Sequence, residues 1–180
     1  MTLLTILEYP DPRLRTIAEE VTTFDEDLKK FVALMFDTMY QAKGIGLAAS
    51  QVDHHYRVIV IDISDEKNEP ICLINPKIIK SEGKTSYEEG CLSVPNFFEK
   101  VERAEKITVY YQSLDGSEHE MEAGGLLAIC IQHEMDHLIG KLFVDYLSTL
   151  KRNKFKKLLE KRLKNPDAED FQDQAGRKAI

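Results

Sequence analysis

The chain of 180 residues contains no tryptophan and only three cysteines, Cys72, Cys91 and Cys130. Three cysteines cannot all pair with one another, and this density does not suit the disulfide framework of small secreted domains. The first residues show no basic stretch followed by an apolar run, and no segment has the apolar length that spans a bilayer. We therefore expect a cytoplasmic protein without a membrane partner, whose reduced thiols are available as metal ligands.

Basic residues are outnumbered by acidic ones. Lys and Arg total 24 against 31 Asp and Glu, which gives a formal net charge of −7. A nucleic-acid binder needs a basic surface that faces the phosphates, so this balance argues against a specific DNA partner. The length suits one domain with its own core, followed by a tail.

The composition changes after Leu150. Lys and Arg become frequent between residues 151 and 164, beside a narrow apolar side that includes Phe155 and Leu159. This pattern predicts a basic C-terminal helix over 151–164, after a catalytic domain over 1–150. From Asn165 onward the residues are polar and acidic without periodicity, so we expect residues 165–180 to form a disordered tail.

Before Leu150 the pattern predicts one long amphipathic helix and several strands. Between Glu26 and Ala42 apolar residues recur at the i, i+3, i+4 spacing, with Asp25 as N-cap and Gly44 as stop. Asn75-Pro76 is expected to end one of the strands. The predicted strands are Arg57–Ile63, Ile71–Ile74, Ile78–Lys80, Ile107–Ser113 and Ser117–Ala123. Helices and strands are segregated rather than alternating, which favours an α+β fold.

The segment from Leu126 to Ile139 predicts a buried helix that carries His133, Glu134 and His137. Residues four apart lie one above the other on a helix, so the two imidazoles can hold one metal ion from successive turns. Glu134 can face a water on that metal. A carboxylate beside an open metal position is what metal-assisted hydrolysis requires. The pentad from His133 to His137 therefore predicts a hydrolase.

Two alternatives give the pentad no catalytic task. Two core histidines with a solvated glutamate between them need no metal, but a buried Glu134 without a partner would be costly. A structural metal site is closed by four protein ligands, and His54 or His55 could supply the fourth. A structural site gives no reason for Glu134 beside the metal, so we favour the hydrolase.

A catalytic site needs a third protein ligand, and the residues alone leave the choice open. The extended metalloprotease motif would place a histidine where this chain has Phe143, so that motif fails. Glu160 would serve a zinc-type metallopeptidase, but it lies among lysines that it can pair with. Cys130 lies about a turn from the metal and suits an apolar lining residue. Cys91 follows Gly90, whose backbone permits a close approach.

Three segments resemble the three motifs of the peptide deformylases, in the same order and at similar separations. They are Gly44 to Gln51, Glu89 to Ser93 and Gln132 to His137. The likeness extends to nearly everything up to Leu150. The first segment also fits the dinucleotide-binding fingerprint, but that fingerprint must follow a strand, and here a long helix precedes it. The resemblance implies an α+β fold with antiparallel or mixed sheets packed around a central metal-binding helix, with a C-terminal helix.

The resemblance implies an enzyme that removes the N-formyl group from the formylmethionine of newly synthesised polypeptides and releases formate. Cys91, His133 and His137 would bind one divalent metal ion, with water as the fourth ligand. Iron(II) is expected, and zinc, nickel or cobalt could substitute. Glu134 would accept the proton of the water. The side chain of Gln51 and the backbone N–H of Leu92 would stabilise the developing oxyanion.

The resemblance also assigns residues to substrate binding. The backbone around Gly46 would hydrogen-bond the substrate as an added strand does. Glu89 belongs to this group through an expected pairing with Arg103, which would fix the loop that carries Cys91. The methionine pocket would be lined by Ile45, Leu126, Ile129 and Cys130. The basic helix permits docking to the ribosome, although a solvated helical face explains its charges equally well.

Overall fold

The computed structural model describes residues 3–164 and 179–180, and this part of the chain holds three α-helices and seven strands. The helices are α1 Glu26–Gln41, α2 Gly125–His137 and α3 Thr149–Lys164. The strands are β1 Gly46–Ala48, β2 Val58–Ile61, β3 Ile71–Glu82, β4 Thr85–Cys91, β5 Val94–Arg103, β6 Lys106–Gln112 and β7 Glu118–Gly124. None of these helices is both long and apolar enough to cross a membrane.

The strands form two antiparallel sheets. The larger has the order β1-β2-β3-β6-β7, and β4 pairs with β5 in a separate two-stranded sheet. The buried residues of β2 alternate between two clusters: Ile59 and Ile61 pack with α2, whereas Val58 and Val60 pack with α1. The sheet therefore lies between the two helices, because successive side chains of a strand point to opposite faces. The expected α+β fold around a central helix is confirmed.

Helix α1 begins and ends close to the predicted positions. Asp25 is its N-cap, and the carboxylate accepts hydrogen bonds from the N–H groups of Asp27 and Leu28 at 3.1 and 2.9 Å. The helix ends at Gln41, and Lys43 rather than Gly44 takes the left-handed conformation, with a φ of 58°. The amphipathic spacing thus located the helix to within one residue.

The strands predicted at Ile71–Ile74 and Ile78–Lys80 both exist, but the break predicted at Asn75-Pro76 is wrong, because one strand, β3, runs from Ile71 to Glu82. Its pairing with β6 shifts register between Ile74 and Lys77. Asn75 has a φ of 51°, and its side chain hydrogen-bonds Val21. A β-bulge accommodates a proline, which has no N–H to donate to the ladder, so the strand continues past a pair that usually ends one.

The hairpin of β4 and β5 was not predicted, because β4 has little apolar alternation. Leu92 and Ser93 lie at its turn, and the hairpin packs with Phe143 and Phe155 in a third cluster. Phe155 attaches α3 to this cluster, and its ring centroid lies 4.8 Å from that of Phe97. The disordered tail predicted for 165–180 lies mostly outside the described residues, and within 179–180 Ile180 is buried.

Candidate metal centre

The two histidines of the pentad lie side by side in the core. Both project from α2, each side chain is almost completely buried, and their ring centroids are 5.2 Å apart. Nε2 of His133 has no hydrogen-bond partner among the described residues. A buried ring nitrogen with a free lone pair is the form in which histidine binds a metal.

Cys91 joins the histidines from the end of β4. Its Sγ lies 3.3 Å from Nε2 of His137, and one ligand atom from each of Cys91, His133 and His137 lies within 4.8 Å of the others. Metal–ligand bonds of about 2.0–2.3 Å place tetrahedral ligands roughly 3.5 Å apart, so the three donors fit one ion. In the part of the chain described, no other group of His, Cys, Asp and Glu does so.

Burial determines the protonation states of Cys91 and His137 in the absence of a metal. It raises the pKa of the Cys91 thiol, and the nearby Glu134 adds to the shift. Burial also lowers the pKa of His137 well below its usual range, so that the imidazole is neutral. A cation at this place favours the thiolate and accepts the neutral imidazole, so the donor set suits a bound divalent metal.

Glu89 holds His133 in the required tautomer. A carboxylate oxygen of Glu89 lies 2.8 Å from Nδ1 of His133, and because a carboxylate only accepts, Nδ1 carries the proton. This leaves Nε2 facing the cysteine and the second histidine. Burial alone would raise the pKa of Glu89, but hydrogen bonds from Arg103 and His133 lower it below its ordinary value. Both carboxylate oxygens of Glu89 are thus engaged within the core, by Arg103 and by His133.

The expected pairing of Glu89 with Arg103 is confirmed. Nε and Nη2 of Arg103 donate to the two carboxylate oxygens at 2.8 and 3.0 Å. Nη1 of Arg103 donates to Asp136 at 2.6 Å, and the hydroxyl of Tyr146 donates to the same carboxylate at 2.8 Å. Asp136 and Tyr146 were missed in the sequence, although Asp136 lies inside the pentad. The network ties the hairpin to α2, and so ties Cys91 to the histidines.

The Arg103→Ala variant is expected to destabilise the protein by about 3–5 kcal/mol, since the fully buried carboxylate of Glu89 would lose its cationic partner. Metal affinity should also fall by about 10- to 100-fold, because His133 loses its fixed orientation. Thermal unfolding and metal titration measure the two effects. Lys84→Ala is the control, because Lys84 pairs with Glu102 at the surface with 78% and 64% of the side chains exposed. Unchanged metal affinity in Arg103→Ala would show that the network has no role at the centre.

Glu134 lies near the three candidate ligands and is completely buried. Neither carboxylate oxygen has a hydrogen-bond partner among the described residues. Burial raises the pKa of Glu134 well above its usual range, and the charge of Glu89 adds to the shift. The strand β1 passes so close that a Cβ at Gly46 would lie 2.5 Å from Oε1 of Glu134 and 2.8 Å from Sγ of Cys130. Only glycine at this position leaves room for the carboxylate.

Gln51 presents its amide nitrogen to the cysteine. Its Oε1 accepts the backbone N–H of Ala48 at 2.8 Å, which fixes the direction of the amide group. Nε2 donates to the hydroxyl of Ser93 at 3.1 Å and lies 3.6 Å from Sγ of Cys91. Leu92 lies between Cys91 and Ser93 at the hairpin turn. Ser93, which has no role assigned from the sequence although it ends the second motif, is buried and accepts this hydrogen bond from Gln51.

The four residues expected to line a methionine pocket belong to one hydrophobic cluster. Ile45, Ile129 and Cys130 are buried in it, and Leu126 packs against it half-buried. Sγ of Cys130 lies 3.8 Å from the carbonyl oxygen of Ile45, so α2 contacts the chain just before β1 at this point. Cys130 lies outside the group of three metal-binding candidates, as a lining residue should.

The other ligand candidates lie elsewhere. Nδ1 of His54 is 2.8 Å from the carbonyl oxygen of Val52, and its ring stacks on Phe31. Nε2 of His55 lies 3.3 Å from a carboxylate oxygen of Asp53. Glu160 is exposed on α3. None of these three residues belongs to the metal-binding group. The structural-site alternative therefore has no fourth ligand from His54 or His55, and the metallopeptidase alternative has no third ligand from Glu160.

Comparisons with known proteins agree on one family. The polypeptide deformylase family model matches residues 3–153. The peptide deformylase of Pseudoalteromonas translucida is 56% identical over 164 residues, which cover 91% of this chain and 98% of the relative. The crystal structure of a peptide deformylase from Legionella pneumophila has a TM-score of 0.87 and 49% identity, and the match covers 93% of this chain and 100% of that one. That from Ehrlichia chaffeensis in complex with actinonin has a TM-score of 0.85 and 41% identity, covering 90% and 98%.

Proposed function

This chain belongs to the peptide deformylase family of metal-dependent amide hydrolases, which remove the N-formyl group from nascent peptides, and we propose that Cys91, His133 and His137 hold its metal. The observation that carries the proposal is the convergence of one thiol and two imidazoles within 4.8 Å. A buried carboxylate without a partner, Glu134, lies beside them. A structural metal site has no use for such a group, whereas hydrolysis requires a base.

The residues around the metal divide the chemistry between them. A divalent cation at this place supplies Lewis-acid chemistry, lowering the pKa of water and polarising the formyl carbonyl. Glu134 accepts a proton from the attacking water and delivers it to the nitrogen of the departing amine as the C–N bond breaks, which yields formate and a free amino terminus. A carboxylate beside the reacting atoms can act first as base and then as acid. The amide of Gln51 and the backbone N–H of Leu92 donate hydrogen bonds to the oxygen on which negative charge develops.

Specificity rests on the small space around the ligands and on the apolar pocket. A formyl group has only a hydrogen on its carbonyl carbon, so a small space around the metal would disfavour larger acyl groups. The backbone around Gly46 aligns the substrate as an added strand. Methionine, unbranched and apolar, suits the pocket of Ile45, Leu126, Ile129 and Cys130.

Formate release from formyl-Met-Ala-Ser tests the proposed function against the zinc-type metallopeptidase. The metal-loaded protein is expected to release one formate per peptide and to leave both internal peptide bonds and casein intact. Acetyl-Met-Ala-Ser is the matched control, which should turn over far more slowly because of its added methyl group. Casein cleavage without formate release would establish the metallopeptidase instead.

We further propose iron(II) as the resident metal. A thiolate and two imidazoles suit zinc, iron, nickel and cobalt, so the choice follows the family, which commonly uses iron(II). Protein loaded with iron under anaerobic conditions should turn over formylated peptide several times faster than the zinc form. It should also lose activity on exposure to air, while the zinc form does not. Equal or higher activity of the zinc form would contradict the assignment.

We also propose a cytoplasmic location and docking of α3 to the ribosome, since nascent peptides are the substrate. Lys154, Lys156 and Lys157 are exposed on α3, while Phe155 anchors the helix. Reversing the three charges to Glu should weaken co-sedimentation with ribosomes at least about 10-fold, because each lost phosphate contact weakens electrostatic binding. Deformylation of free peptides should not change. Lys29→Glu with Lys30→Glu on α1 is the control, and undiminished co-sedimentation of the α3 variant would exclude this surface.

A further inference from the structure

The peptide group between Ala179 and Ile180 connects Ile45, just before β1, with Gly90 in β4, and the space between these two residues is called the cleft below. Its carbonyl oxygen accepts the backbone N–H of Ile45 at 3.2 Å, and its N–H donates to the carbonyl oxygen of Gly90 at 3.1 Å. Ile45 directly precedes β1, and Gly90 directly precedes Cys91 in β4. Backbone hydrogen bonds of this kind resemble those proposed for the substrate, which would also bind the backbone around Gly46.

The side chain of Ile180 is buried in the proposed methionine pocket. Only 1% of the residue is exposed, and it belongs to the hydrophobic cluster that contains Ile45, Ile129 and Cys130. An apolar side chain gains most of its binding free energy from leaving water, so isoleucine and methionine suit the same apolar space. Ile180 and a substrate methionine therefore cannot both occupy it.

The length of the chain between α3 and Ala179 permits this contact within one molecule. Fourteen residues, 165–178, separate Lys164 from Ala179. Such a segment reaches up to about 45–50 Å, which exceeds the dimensions of a domain with a radius of gyration of about 16 Å. Both Ala179 and Ile180 lie beyond residue 153, where the match to the family model ends.

We propose that Ala179–Ile180 is an intramolecular ligand that competes with the formylated peptide for the cleft. The proposal rests on the proposed function, because it takes the pocket of Ile45, Ile129 and Cys130 as the methionine site. A tethered ligand acts at a constant local concentration, so the competition does not depend on enzyme concentration. The bound segment lowers the fraction of molecules that are free to bind substrate. KM rises by the reciprocal of that fraction, while kcat stays the same.

Substitution of Ile180 in the metal-loaded chain of 180 residues tests the competition. Ile180→Lys places an ammonium group against an apolar pocket, so the segment should leave the cleft. KM for formyl-Met-Ala-Ser is expected to fall about 3- to 10-fold with kcat unchanged. Leu163→Lys is the matched control, because Leu163 is 64% exposed at the end of α3 and should leave KM at the wild-type value.

Two further measurements report whether Ala179–Ile180 occupies the cleft. Hydrogen exchange of the Ile45 amide should be slow in the wild type and faster in Ile180→Lys, since its acceptor on Ala179 is lost. A synthetic peptide of residues 171–180 should inhibit Ile180→Lys competitively against substrate, whereas the same peptide with lysine last should not.

Equal KM values together with unchanged exchange at Ile45 would overturn the inference. Absence of formate release from both proteins would instead refute the proposed function, and the exchange measurement would still report on the segment.

Discussion

The Glu134→Gln variant is expected to lose formate release by about 10³-fold while it keeps its fold and its metal. Glutamine has the shape of glutamate but cannot accept the proton of water, and general base catalysis contributes about 10²- to 10⁴-fold. The metal should stay, because the three proposed ligands are untouched. Formate release and metal content, measured on the same preparation, separate the two effects.

The same substitution should leave the protein at least as stable as the wild type. Burial raises the pKa of Glu134, so the position favours an uncharged side chain, and glutamine is uncharged and has the same shape. Glu160→Gln, on the exposed face of α3, is the control and should change neither activity nor melting temperature. More than a tenth of the wild-type activity in Glu134→Gln would rule out Glu134 as the base.

Replacement of Cys91 with alanine is expected to remove the metal and to reduce formate release to background. Two imidazoles alone cannot hold the ion against dialysis, because a thiolate contributes both a bond and a negative charge. Metal affinity should fall by more than the factor of about 10 to 100 that is expected when an outer partner such as Arg103 is removed. Metal content after dialysis, together with formate release, measures it.

Cys130→Ala is the informative control for Cys91→Ala. Cys130 is as deeply buried and lies next to the pocket, yet it is outside the group of three donors. Its loss should leave metal content unchanged. Cys72→Ala, on β3, should affect neither metal nor activity. Full metal content in Cys91→Ala, or its loss in Cys130→Ala, would reassign the third ligand.

The sequence located the elements whose signal is local. The spacing of His133 and His137 fixed their shared helical face, and Asp25 with the apolar stripe behind it fixed the start of α1. Helix geometry follows from neighbours three and four residues apart, so such features need no knowledge of the rest of the chain. The approach of Cys91 to the histidines joins residues 42 and 46 positions apart, and only resemblance supplied it in advance.

Features that depend on distant partners were missed or misread. Asn75-Pro76 usually ends a strand, yet a register shift against β6 carries β3 through it. The β4–β5 hairpin lacks apolar alternation and is held by Phe143 and Phe155 from later segments. Ile180, expected within a disordered tail, is buried in the same cluster as Ile45, which precedes β1, and Ile129 of α2. In each case a tertiary contact decides the local structure, which periodicity cannot reveal.

X-ray absorption at the zinc edge, on the zinc-loaded protein with all thiols reduced, tests the metal centre most directly. The account predicts one sulfur at about 2.3 Å and two imidazole nitrogens at about 2.0–2.1 Å, with the remaining position held by a light atom of solvent. A coordination shell made only of nitrogen and oxygen would contradict it, because the sulfur of Cys91 would then bind no metal.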